Sequence, residues 1–97
     1  MNTKKIALIG PGRVGRAMAR LLPNAGYEIT AFGGRDPARL TEAVRDMEPP
    51  PPLCSITEAA TRADLVLLTV RDDAIAEVAA QCTFRPGAIL LHMSGAL

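Results

Sequence analysis

Gly10-Pro11-Gly12-Arg13-Val14-Gly15 is the stretch of this chain whose residue types and spacing can do chemistry. It follows the apolar run Ile6-Ala7-Leu8-Ile9 and opens an amphipathic helical pattern, the context in which a G-x-G-x-x-G turn holds a dinucleotide. Gly10 permits a sharp exit from the strand. Gly12, without a Cβ, lets the backbone approach a pyrophosphate, while Gly15 lets the new helix lie close against its strand. The helix start then offers N–H groups and the positive end of a dipole to the phosphates. Pro11, Arg13 and Val14 complete the turn and are expected to line the same site. The alternative is a tight strand-to-helix turn with no ligand.

A second group of residues bears on which dinucleotide is held. An NAD site usually has Asp or Glu at the end of the second strand, about 20 residues past the glycine motif, to bind the ribose hydroxyls. Here Phe32 is followed by Gly33-Gly34-Arg35, with no acid at the tip. A guanidinium there can make paired hydrogen bonds to a 2′-phosphate. NADP is therefore expected over NAD. NAD stays open, because Asp36 could turn back to the ribose instead of capping its helix, and Arg35 could be a solvated loop charge.

These residues need a scaffold, and the chain supplies it by alternating apolar runs with helical periods. The first strand is predicted over Lys5 to Ile9, and a helix from Arg13 carries Val14, Ala17, Met18, Leu21 and Leu22 on one face. Pro23 should end that helix, having no N–H and a ring that clashes with the preceding turn. A second strand runs over Glu28 to Phe32. Asp36 reads as an N-cap with Pro37 at the first helical position, starting a helix through Met47. Pro49 to Pro52 form a stiff extended connection, for which a solvated loop suffices and a proline-binding partner is not required. Leu53 to Ile56 is a short third strand, with Thr57 capping a brief helix over Glu58 to Thr61. Leu65 to Val70, apolar apart from Thr69, reads as an interior strand. A helix from Asp73 places Ile75, Val78, Ala79 and Cys82 on one face, and Ala88 to His92 is the last strand.

Such a string implies an α/β, Rossmann-like doubly wound parallel sheet of about five strands in the order 3-2-1-4-5, with helices on both faces. Strand order reverses between the first and fourth strands. The crevice at their carboxyl ends is where a ligand binds, so Val70, Arg71 and Asp72 join the glycine turn as expected cofactor-binding residues. His92, Ser94 and Gly95 follow the fifth strand to the same edge.

Composition narrows the function classes. A chain of 97 residues with 48% apolar residues is one small domain, too short for a two-domain enzyme. Eleven basic against ten acidic residues, with no basic stripe and no interleaved aromatics, argue against nucleic acid. No apolar stretch approaches the roughly 20 residues of a membrane helix, and no signal peptide precedes the first strand, which points to the cytoplasm. Cys54 and Cys82 lack metal or redox spacing and read as buried free thiols; no metal is expected.

Ala7 to Gly15, Phe32 to Arg35, Ala63 to Ile75 and the ending His92-Met93-Ser94-Gly95-Ala96-Leu97 together resemble the N-terminal Rossmann-like domain of a bacterial family of oxidoreductases. That family carries a helical C-terminal domain of uncharacterised function. It is similar in plan to pyrroline-5-carboxylate reductase, the 3-hydroxyisobutyrate dehydrogenase group and deazaflavin-dependent NADP reductases. Arg71 departs from the proline that many relatives have after the fourth strand. The resemblance implies hydride transfer between NADP and a small carbonyl or imine substrate, and a further domain closing over the nicotinamide, beside which this chain looks like a fragment. It also implies that Ser94 and Gly95 hold the substrate's polar groups. His92, whose ordinary pKa suits acid–base work, would be proton donor or positioning group, although a histidine at a strand end is also a structural hydrogen-bonding residue. Self-association into a homodimer is left open, as are a nucleotide-sensing domain without turnover and an inactive fragment.

Overall fold

A computed structural model describes residues 4–93. Ser94 and Gly95 lie outside the described residues. Five parallel strands, β1 (Lys4–Ile9), β2 (Tyr27–Gly33), β3 (Leu53–Cys54), β4 (Leu65–Leu68) and β5 (Ile89–His92), form one sheet in the order β3-β2-β1-β4-β5. The expected Rossmann-like winding is therefore present. Helices α1 (Arg13–Asn24) and α2 (Pro37–Ala43) follow β1 and β2, and α3 (Ile56–Ala59) and α4 (Ile75–Gln81) flank β4 in sequence.

Alternation along β1 divides the core in two. Ile6 and Leu8 face a cluster with Ala19, Leu22, Leu40 and Val44 of the α1 and α2 segments. Ala7 and Ile9 face a second cluster with Ile56, Ala59 and Val78 of α3 and α4. That is the period of two expected of a strand covered on both sides. A register shift between Ile6 and Ala7 pairs Ile6 with Ile29 but Ala7 with Ala31. In consequence Ile29 and Phe32, three positions apart, both enter the first cluster.

Several local expectations need correction. Helix α1 continues through Pro23 to Asn24, because a proline in the last turn removes only one helical hydrogen bond, and the Ala25 N–H closes the end on the carbonyls of Leu21 and Leu22. Its buried side is Gly15, Ala19 and Leu22, with Ala17 and Leu21 exposed. Gly15 and Ala19 let α1 approach the sheet closely, with Leu22 packed beside them, while Leu21 turns away.

Helix α2 stops at Ala43, short of Met47, where Arg20 of α1 donates to the Ala43 carbonyl and pairs with Asp46. Val44 and Met47 still pack on the core from the turns that follow. Strand β3 ends at Cys54, and Ser55, not Thr57, caps α3: its hydroxyl accepts the Glu58 N–H at 3.2 Å. The missed signal was Ser55-Ile56-Thr57-Glu58, a capping-box spacing. A 3₁₀ turn at Asp72–Ala74 precedes α4. The thiols of Cys54 and Cys82 are free but half-buried, and burial raises both pKa values above the ordinary range.

Strand β4 has β1 and β5 on either side, as an interior strand should. On β5 the side chains of Ile89, Leu90 and Leu91 are 60%, 41% and 46% exposed. Among the described residues no helix is long and apolar enough to cross a membrane, and no cluster of His, Cys, Asp and Glu could hold a metal ion.

Candidate functional site

At the carboxyl end of β1 the backbone turns at Gly10 with φ +111°, a conformation that side-chain-bearing residues rarely adopt. Space is short as well: a Cβ there would lie 2.9 Å from both the carbonyl oxygen and Oγ1 of Thr69. At Gly15 a Cβ would sit 1.8 Å from the Gly10 carbonyl oxygen. Close packing within the protein thus explains the first and third glycines.

Gly12 is different. Its φ of −80° and ψ of −165° are extended, and beyond its chain neighbours nothing lies within 4 Å of the place a Cβ would take. It also makes no side-chain cap, although it occupies the N-cap position where Ser, Thr, Asp or Asn would stabilise α1. Neither backbone nor packing requires glycine here. What the missing Cβ leaves is open space against the start of α1, whose first helical bond runs from the Arg16 N–H to the Gly12 carbonyl at 2.9 Å. The N–H groups of the first turn have no acceptor within the helix, as at any helix start, and that turn contains no acidic side chain to compete for them. The cradle fits the pyrophosphate of a dinucleotide.

The tip of β2 is bound to this turn. The Gly10 N–H donates to the Gly33 carbonyl at 2.9 Å, and a Cβ on Gly34 would press on the Pro11 ring at 3.0 Å. Gly33 itself packs against Ala59 and Ser55, so α3 accounts for its lack of a side chain. Arg35, next in line, is exposed and pairs with Glu77 at 3.1 Å. Asp36 caps α2, its Oδ1 accepting the Ala38 N–H at 2.9 Å, so this carboxylate serves its own helix. A recess of ≈ 330 Å³ opens beside the tip, lined by Gly34, Arg35, Leu40, Thr41, Cys54 and Ser55 among others.

On the other side of β1, half-buried Val70 packs against the second core cluster, and Arg71 reaches Asp73 at 3.5 Å. His92, at the end of β5, has Nε2 3.8 Å from Asp72 Oδ1. The sheet therefore brings the glycine turn, the β2 tip, Val70 to Asp72 and His92 to one edge. With that edge described, the comparison with known proteins is decisive: residues 5–94 match the family described as NADP oxidoreductase, coenzyme F420-dependent. The chain belongs to that family.

Several solved structures resemble this domain. It is 26% identical to an imine reductase from Pseudomonas sp., with a TM-score of 0.72, covering 96% of this chain and 33% of that one. A semialdehyde dehydrogenase NAD-binding protein from Cupriavidus necator, in complex with calcium and NAD, is 26% identical with a TM-score of 0.71, at 96% and 33% coverage. A candidate NADP oxidoreductase from Bacteroides fragilis shares the fold at a TM-score of 0.77 and 24% identity, covering 97% of this chain and 37% of that one. The chain thus spans about a third of the length of these proteins. No curated protein matches it. The domain is of an NAD(P)-binding oxidoreductase type, with a nicotinamide dinucleotide as its cofactor.

Thr69 is a residue of this edge that sequence reasoning passed over. It was assigned to β4, yet it leaves that strand and ties the ends of β1 and β4 together. Its N–H donates to the Ile9 carbonyl at 2.8 Å, and its buried hydroxyl lies 2.9 Å from the carbonyls of both Ile9 and Gly10. The available signal was one polar residue in an otherwise apolar run. Thr69→Val keeps the shape but removes the bond to Gly10, and is expected to cost about 1–2 kcal/mol. A lowered urea midpoint at unchanged slope would show this; an unchanged midpoint would make the hydroxyl a bystander.

Proposed function

We propose that this chain is the NADP-binding half of an oxidoreductase that moves a hydride between the nicotinamide and a small carbonyl or imine substrate. The observation that carries the reading is Gly12, a glycine that neither backbone nor packing requires, set at a helix start that faces open space. Bound dinucleotide supplies the hydride chemistry; the protein contributes binding, orientation and electrostatics.

The start of α1 binds the pyrophosphate with Gly10 to Gly15, and Gly33, Gly34 and Arg35 receive the adenosine end. Arg35 favours NADP over NAD because it can pair with a 2′-phosphate while Asp36 is committed to its cap. Val70, Arg71 and Asp72 back the nicotinamide end. His92, with Asp72 nearby, is the proton donor or positioning group, and Ser94 and Gly95 hold the substrate's polar groups. These residues form one wall of a site, and hydride transfer needs a substrate held at about 3–3.5 Å in water-poor surroundings. The other wall would come from outside these residues.

Titration calorimetry of the 97-residue chain with NADPH and NADH tests the reading. Arg35→Ala is expected to weaken NADPH more than NADH, by about 1–3 kcal/mol, nearer the lower end because the site is exposed. Equal weakening of both cofactors, or of neither, would make Arg35 a surface charge and leave the 2′-phosphate without its partner.

A further inference from the structure

Arg35 already has a partner. Its Nη2 lies 3.1 Å from Glu77 Oε1, and the two side chains are 59% and 64% exposed. Arg35 follows β2, whereas Glu77 lies in the first turn of α4, beyond β4. Since β2 and β4 flank β1 in the sheet, the ion pair spans the carboxyl end of β1, where the glycine turn begins. It crosses the crevice between the β2 tip and the β4 side.

We propose that Glu77 is a specificity-determining residue, competing with the 2′-phosphate of NADP for the Arg35 guanidinium and so narrowing the preference for the phosphorylated dinucleotide. The inference rests on the reading of Arg35 given above. A guanidinium offers its N–H donors in a fixed planar fork, and paired binding of a phosphate uses one edge of that fork. Glu77 occupies Nη2 on the same fork. An arriving phosphate must displace the carboxylate or share the guanidinium with it at short range, where like charges repel. Either route weakens NADP, and neither acts on NAD, whose ribose presents uncharged hydroxyls at that position. Asp36, the adjoining carboxylate, is held in its cap. Because the pair is exposed, the effect has the size of one surface ion pair, roughly two- to fivefold in affinity.

The test is calorimetry with NADPH and NADH on the 97-residue chain and on Glu77→Gln, Arg35→Ala and the double variant. Glu77→Gln should tighten NADPH roughly two- to fivefold and leave NADH unchanged, with the gain shrinking as salt is added. In the Arg35→Ala background the gain should vanish, because no guanidinium is left to release. Glu77→Ala should act in the same direction, which separates competition from any property of the introduced amide. A gain that persists without Arg35, or equal tightening of both dinucleotides, overturns the proposal. Should the unaltered chain bind neither dinucleotide, the reading of the site falls and the competition with it. Binding of both with an unchanged ratio in Glu77→Gln removes the competition alone.

Discussion

Gly12→Val is expected to abolish dinucleotide binding while leaving the fold intact. Both halves of this result follow from the same geometry. The backbone at Gly12 is extended, a conformation valine adopts readily, and no packing neighbour lies within 4 Å of the new Cβ. The cost to stability is that of a poorer N-cap, about 1 kcal/mol. The isopropyl group instead fills the space through which a pyrophosphate would approach the start of α1. Losing two charge-assisted hydrogen bonds from backbone N–H groups corresponds to roughly 100-fold or more in affinity. Calorimetry with NADPH, paired with thermal unfolding by circular dichroism, measures the two effects separately. Equal affinity in the two proteins would sink the assignment of the turn, whatever the family.

Gly15→Ala should do the opposite and strike the fold itself. By helix propensity alone the change would stabilise α1 by about 1 kcal/mol. Contact overrules propensity here, because the new Cβ would come 1.8 Å from the Gly10 carbonyl oxygen and 2.8 Å from Thr69 Oγ1. The first of these neighbours is backbone, held by the turn it belongs to. Relief requires α1 to move off the sheet, opening the Ala19 and Leu22 contacts with the first core cluster. We expect a loss of about 3 kcal/mol or more, at or above the upper range for overpacked cores. In a small domain with a total stability of about 5–15 kcal/mol that is a large share, and it would lower Tm by more than about 10 °C. Chemical denaturation gives the value, and a protein stabilised by the alanine would show that α1 does not sit this close.

The topology was legible in the chain because its signals are local. Alternating apolar runs and helical periods imply parallel strands joined by crossovers, and right-handed crossovers restrict the sheet to few orders. The order 3-2-1-4-5 is the one found. The glycine spacing placed the turn at the end of β1: Gly10 takes a φ of +111° and Gly15 packs against the Gly10 carbonyl, whereas no packing neighbour requires glycine at position 12. Capping was less legible: Asp36 was read correctly, whereas Ser55 was passed over in favour of Thr57. Both are oxygen-bearing residues, and only the path of the backbone decides which hydroxyl meets the Glu58 N–H.

Residue types and spacing alone determined the strand–turn–helix at the end of β1, the lack of an acid at the β2 tip, and the edge at which the loops gather. The tertiary structure decided which side of α1 is buried, because close approach selects Gly15 and Ala19 over the larger Leu21. It decided that Thr69 anchors the glycine turn and that Glu77 holds Arg35. Those contacts join residues 59, 60 and 42 positions apart. No local propensity carries such information, since each contact exists only because the sheet sets the ends of β2, β1 and β4 side by side.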